Sequence, residues 1–409
     1  MGNADLRQRL RRLGVRQGAR HINASARRRG RDIEELLPGE IVDAGQGPFF
    51  LYRETHPLDY HHGYHTLADL MAQTPQAVAF LARDERLADV DFRCMAFVDT
   101  ETTGLAGGTG TYAFLVGVGV FEEERFTVHQ FFMRDYGEEP ALIHALGELL
   151  DGLDAVVSFN GKSFDMPLLE TRFIMTRQPP RLVDAPHLDL LPTARRFWKY
   201  RLDSCALSSL ETEVLGVQRT QDDVPGWLIP SLYSDYARTG DASEMPRIFY
   251  HNAQDILSLV TLTARMCDLL AVALPPSEDV PGEDLYGLGR LLYDLGQHDR
   301  AEAAYVEAAQ SCQVAQVCEM AMRDLAFLLK RQDRRAEALS WWQRLAEMTG
   351  AVYACEELAK HYEWHDEDLI QARTWTEQGI TLVQAWPPSP KRRETLAELE
   401  HRLQRLQGK

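Results

Sequence analysis

Four apolar residues, Met95, Ala96, Phe97 and Val98, lead directly into Asp99-Thr100-Glu101-Thr102-Thr103-Gly104. The apolar run reads as the start of a buried strand, and alternate side chains of a strand share a face. Asp99 and Glu101 must therefore point the same way. Any fold open to this chain has to bury that strand and still satisfy two converging carboxylates, which is costly unless a cation stands between them. A divalent metal is the natural candidate. The plain alternative is a pair of solvated acids on a strand edge.

The segments that follow set the fold class. After a glycine-threonine turn at 107–110, residues 112–121 form a long apolar run. Glu122-Glu123-Glu124 turns the chain, and residues 126–133 alternate as an antiparallel partner. Leu142, Ile143, Leu146, Leu149 and Leu150 have helical spacing. Residues 155–159 read as a buried parallel strand ended by Asn160-Gly161, and Asp165-Met166-Pro167 opens a helix reaching about residue 175. A short strand-like piece ends at His187-Leu188-Asp189, and a long helix covers about 245–270. This order resembles a ribonuclease H-like α/β layer structure: a mixed, five-stranded sheet flanked by helices.

Pro275-Pro276 and Pro281-Gly282 mark a linker. Beyond it, Leu285, Leu288, Gly289, Leu292, Gly296, Ala301, Tyr305 and Ala308 match a tetratricopeptide template of paired helices. Leu325, Ala326, Leu329, Ala338 and Trp342 match it again, a weaker third copy includes Leu358, Ala359, Tyr362, Ala372 and Gly379, and residues 394–406 read as a capping helix. The predicted organisation is a basic arm (1–36), an extended segment packed on the catalytic domain (37–92), a ribonuclease H-like domain (93–273) and an all-α repeat solenoid for protein contact (283–409).

The net charge of −17 conceals an asymmetry, since residues 1–31 hold ten arginines against Asp5 alone. Such an arm suits a phosphate-bearing partner, or is a tail with no specific one. No window has the apolar length of a membrane span, and the arginine-rich start lacks the apolar core of a secretory signal. The six cysteines are scattered with no Cys-x-x-Cys, which argues against zinc ribbons and disulfide frameworks and for a reducing cytoplasm. His56, His61, His62 and His65, with Asp59 nearby, are dense enough to bind a transition metal, but their spacing fits no metal motif, and packing on the main domain explains them more simply.

Three acidic elements carry the candidate chemistry: Asp99 with Glu101, Asp165 at a strand exit, and Asp255 in Tyr250-His251-Asn252-Ala253-Gln254-Asp255. Asp165 has a competing reading as a helix N-cap. His251 and Asp255, four apart on a helix, share a face. Arg195, Arg196 and Lys199, interleaved with Phe197, Trp198 and Tyr200, suit a single strand's phosphates and bases, or are a surface helix with an aromatic core face. The loop 222–230 is too rigid and apolar for a plain linker and reads as a lid or wedge near substrate.

In this order the three elements resemble the DEDD exonuclease superfamily. The resemblance implies that Asp99, Glu101, Asp165 and Asp255 hold two ions, Mg2+ or Mn2+, and that His251, with Tyr250 as fallback, handles the proton of the attacking water. The tyrosine and histidine spacings are exchanged relative to the best-known subfamilies. The whole layout is also similar to a bacterial family in which such a domain precedes tetratricopeptide repeats, through His187-Leu188-Asp189-Leu190-Leu191, Pro225-Gly226, Ile229-Pro230 and 255–259. The expected function is a metal-dependent nuclease, in 3′→5′ exonuclease mode, on single-stranded DNA or RNA. Asn160, Arg195, Arg196 and Lys199 would contact the nucleic acid, a protein partner would bind the repeats, and no membrane is involved. The rivals are a non-catalytic nucleic-acid adaptor and a structure-selective endonuclease on the same fold.

Overall fold

The computed structural model describes residues 30–43, 45–104, 110–182, 184–220, 222–277 and 279–409. The arginine-rich stretch before Gly30 and residues 107–109 of the expected glycine-threonine turn lie outside them.

Strands β1 (Glu40–Asp43), β2 (Pro48–Pro57), β3 (His61–His62), β4 (His65–Thr66), β5 (Met95–Thr102), β6 (Ala113–Glu122), β7 (Arg125–Phe132), β8 (Ala155–Ser158) and β9 (His187–Asp189) follow in chain order. β3 and β4 make a separate small hairpin. The other seven form one mixed sheet in the order β1-β2-β7-β6-β5-β8-β9, where β5, β8 and β9 run parallel and the remaining neighbours antiparallel. The five-stranded expectation is thus corrected to seven. The segment before residue 92 supplies two strands of the sheet itself. β2 pairs along β7 from Phe50↔Phe132 to Pro57↔Arg125 and covers what would otherwise be an open edge.

Helices α1 (Pro75–Ala82), α2 (Glu139–Leu150), α3 (Asp165–Met175), α4 (Leu190–Trp198), α5 (Ile229–Thr239) and α6 (Met245–Ala271) cover both faces. Strand alternation decides which residue meets which layer. Ala96 and Val98 enter the core shared with Leu142, Ile143, Phe173 and Tyr233. Met95 and Phe97 enter the core shared with Ile256, Leu257 and Val260 of α6. Asp99 and Glu101 continue the second set, so they end on the α6 side, while Thr100 falls on the α3 side.

Seven further helices follow: α7 (Gly282–Asp294), α8 (His298–Ser311), α9 (Ala315–Arg331), α10 (Arg335–Thr349), α11 (Val352–Trp364), α12 (Leu369–Gln384) and α13 (Pro390–Gln407). Short turns join α7 to α8, α9 to α10 and α11 to α12, and each pair packs together. The apolar core continues from the sheet's α6 side through Leu285 and Leu325 to Leu358. Gly287 passes so near α4 that a Cβ would lie 2.5 Å from the Phe197 carbonyl oxygen. Arg201 Nε donates to Asp284 at 2.8 Å across the same junction. α13 is held by the fully buried Glu363 carboxylate, which meets Arg402 at 2.9 Å, Arg405 at 2.7 Å and Lys409 at 2.9 Å. One expectation about the cysteines is also corrected: Cys312 and Cys318, at the α8–α9 turn, are joined by a disulfide. Their six-residue separation spans a turn between packed helices, which brings the two Cα atoms to 5.7 Å.

Candidate active site

Asp99 and Glu101 reach the open end of β5, where the register with β6 shifts between Glu101 and Thr102. Asp99 is opposite Gly117. A Cβ on Gly117 would lie 2.2 Å from Asn252 Oδ1 and 2.4 Å from Ile256 Cδ1, so the bare strand lets α6 approach. Asn252 uses that approach: its Nδ2 donates to Asp99 Oδ2 at 2.8 Å and to the Asp99 carbonyl at 3.3 Å. Gln130 Nε2 in turn donates to Asn252 Oδ1 at 2.8 Å. We expect Gly117→Ala to cost about 1–3 kcal/mol through overpacking, seen as a lower denaturation midpoint. An unchanged midpoint would contradict the tight contact.

Asp165 is the first residue of α3, and Phe164 takes the cap position without a side-chain cap. The N-cap reading is therefore set aside. Asp165 Oδ1 instead accepts a short hydrogen bond from Thr100 Oγ1 of β5. The loop before it is fixed from below by the buried Asp189, which accepts from Asn160 N–H at 2.7 Å, Lys162 N–H at 3.2 Å and Leu191 N–H at 3.1 Å. Asn160 takes a left-handed φ of 66°, a conformation that asparagine tolerates.

His251 and Asp255 reach the carboxylates of β5 from α6. His251 Nε2 lies 3.6 Å from Asp255 Oδ2 and 4.0 Å from Glu101 Oε1. Tyr250 turns elsewhere, its hydroxyl accepting from Thr220 N–H at 3.1 Å. Three residues of the cluster carry no spacing motif that marks them as site residues, although Asp223 falls in the loop 222–230 that reads as a lid. Arg219 donates to Asp255 through a very short contact and to Glu211 at 2.6 Å. Glu211 also accepts from Ser258 at 2.6 Å. Asp223 Oδ1 lies 2.8 Å from His251 Nδ1.

The electrostatics follow from that crowding. Burial, and then Asp255 and Asp165, push the Asp99 carboxyl well above the usual range. Burial, and then Asp99, do the same to Glu101. Asp165 is pushed up to about 6, chiefly by burial, against the pull of the Thr100 hydrogen bond. Burial works against the Arg219 cation, yet Asp255 and Glu211 more than offset it and hold its proton firmly. Carboxylates that resist their own charge suit a hard divalent cation with oxygen preferences. Among the described residues no three His, Cys, Asp or Glu side chains already stand together as a metal cage. Asp165 instead accepts from Thr100 Oγ1, and Asp255 from the Arg219 guanidinium. The donor chemistry fits a metal, with protein partners holding the oxygens meanwhile.

Other candidates are not brought to this cleft. Phe197 and Trp198 are fully buried, so on α4 the core-face reading replaces base stacking for these two rings. Arg196 is half-buried beside Arg83 and Asp294 at the junction with α7, whereas Arg195 and Lys199 are exposed. No hydrogen bond or ion pair among the described residues joins these three cations to the carboxylates. The histidine cluster disperses: His62 bonds Ser258 Oγ at 2.7 Å, His65 meets Asp69 at 3.2 Å and His56 meets Glu54 at 3.2 Å. No helix among the described residues is long and apolar enough to cross a membrane.

A mixed sheet with acids at the end of its central strand and helices on both faces fits the ribonuclease H-like class. Residues 96–267 match the family model described as RNase_H superfamily, a range that includes every residue of the cluster. Over 340 residues the chain is 31% identical to the "Uncharacterized protein YprB" of Bacillus subtilis (strain 168), spanning 81% of each protein, and it belongs to that protein's family. A solved family B DNA polymerase from Pyrobaculum calidifontis aligns at 14% identity with a TM-score of 0.34, over 49% of this chain and 29% of that one.

Proposed function

We propose that this protein is a metal-dependent nuclease that hydrolyses phosphodiesters of single-stranded DNA or RNA, in 3′→5′ exonuclease mode. The observation that supports the reading is the proximity of Asp99, Glu101, Asp165 and Asp255 to one another, with His251 beside Glu101 and Asp255, inside an RNase H superfamily domain. The four carboxylates would hold two divalent ions, Mg2+ or Mn2+. When bound, that pair supplies charge stabilisation at the attacking and leaving oxygens.

The protein's own groups do the remainder. His251 Nε2 takes a proton from the attacking water, the water oxygen bonds to phosphorus, and the bond to the departing 3′ oxygen breaks. That oxygen then takes a proton from solvent. Asn252 steadies Asp99, and Thr100 steadies Asp165. Asn160, Arg195 and Lys199 contact the strand, while Arg196 serves the junction with α7. The paired helices α7–α12 are tetratricopeptide-type repeats, capped by α13, that engage a protein partner.

The deciding assay uses 5′-labelled single-stranded DNA and RNA with Mn2+. A ladder shortening from the 3′ end supports the exonuclease, internal cuts favour an endonuclease, and binding without cleavage favours an adaptor. Within the same assay, His251→Asn should lower kcat by about 10²–10⁴-fold. Tyr250→Phe should change it little, because its hydroxyl faces Thr220. The reverse ranking would move the proton to the tyrosine.

A further inference from the structure

The loop around Asp222-Asp223-Val224-Pro225-Gly226-Trp227 is fastened to α6. Thr220 N–H donates to the Tyr250 hydroxyl at 3.1 Å. Arg247 Nη2 donates to the Asp223 carbonyl at 2.8 Å. The Asp223 side chain meets His251 Nδ1 at 2.8 Å. Gly226 runs along the ring's other edge, where a Cβ would sit 3.8 Å from Nε2. We propose that Asp223 is a positioning residue: its carboxylate accepts a hydrogen bond from Nδ1–H of His251, fixes the tautomer, and turns a bare Nε2 toward the carboxylates. This rests on His251 being the proton acceptor of the proposed nuclease.

Two groups compete for Nδ1, and their demands are opposite. A carboxylate can only accept, whereas a guanidinium can only donate. Arg219 Nη1 stands 3.0 Å from the same nitrogen. If Arg219 prevailed, the neutral ring would carry its proton on Nε2 and could take none from water. If Asp223 prevails, Nε2 is bare, 3.6 Å from Asp255 and 4.0 Å from Glu101. Distance favours Asp223, and so does proton supply. Arg219 already donates to Glu211 and Asp255, and Asp223 itself lies 3.5 Å from its Nη1. Asp223 therefore does two things: it accepts a hydrogen bond from Nδ1–H, and it faces the cation that would reverse the ring. Its place on an irregular loop, 28 residues from His251, explains why no spacing motif reveals it.

The test reads the tautomer directly. The full chain is labelled with ¹⁵N-histidine and kept metal-free at alkaline pH, where a neutral imidazole carries one proton. A His251→Gln sample identifies the resonances. The wild type should show a protonated Nδ1 and a bare Nε2. In Asp223→Ala the proton should move toward Nε2, and kcat should fall about 10–100-fold with KM within about twofold. Asp223→Glu should recover part of kcat. A wild-type ring protonated on Nε2 overturns the proposal even if the variant fails to fold, as does an Asp223→Ala protein with unchanged tautomer and kcat. The spectrum needs neither metal nor cleavage, so an inactive wild type would sink the nuclease reading while the tautomer result still decides the role of Asp223.

Discussion

Asp99→Asn is expected to remove the proposed nuclease activity while leaving the metal-free protein as stable as the wild type or more so. Asparagine keeps the size of the side chain and still offers an oxygen to Asn252 Nδ2, which reaches Asp99 at 2.8 Å. It removes one of several acids that raise one another's proton affinity in a confined site. Like charges in a poorly solvated cleft are a cost to folding, so losing one should hold or raise the melting temperature in EDTA. The same charge is what a divalent cation needs. Activity should fall by more than the roughly 100-fold that losing even an outer partner of a metal site can cost, and the stabilisation conferred by Mn2+ should shrink with it. An inactive variant that also melts much lower would point instead to an ordinary structural acid. A fully active one would remove Asp99 from the chemistry.

Part of the site can be read in the chain and part cannot, because some of it rests on local geometry and the rest on tertiary packing. The shared face of Asp99 and Glu101 follows from a period of two, and that of His251 and Asp255 from i, i+4 spacing; both are local geometry. Arg219 and Asp223 sit on an irregular stretch, and only tertiary packing brings them beside α6. The same limit governs the edge of the sheet. Phe49-Phe50-Leu51-Tyr52 is strand-like on sight, but Arg53, Glu54 and His56 disguise the rest of β2, whose pairing with β7 is decided across 70-odd residues of chain. On α4, the pattern of basic and aromatic residues is truly ambiguous in one dimension. Burial of Phe197 and Trp198 against the neighbouring helices resolves it for those two rings alone.

Arg172→Met should be the most destabilising single change near the cleft, at about 3–5 kcal/mol, the cost of stranding one member of a buried ion pair. Arg172, on α3, is buried and meets Glu139 of α2 through both arms of its guanidinium, with Nη2 2.6 Å from Oε2. It also donates to the Thr111 carbonyl at 3.3 Å, and its Cζ lies 4.2 Å from the centre of the Tyr112 ring. These contacts tie the helix that begins with Asp165 to the start of β6. Losing them leaves the Glu139 carboxylate with little solvent and loosens α3, so Asp165 should drift from Thr100 and cleavage should fall along with the denaturation midpoint. The double variant Glu139→Gln, Arg172→Met separates the two effects. It removes the stranded charge and should recover a large part of the stability, because the desolvation penalty of the pair disappears with it. It does not restore the tether to Thr111, so activity should recover less than stability does. Additive losses in the double variant would show that Glu139 and Arg172 act independently and that the ion pair is not what anchors Asp165.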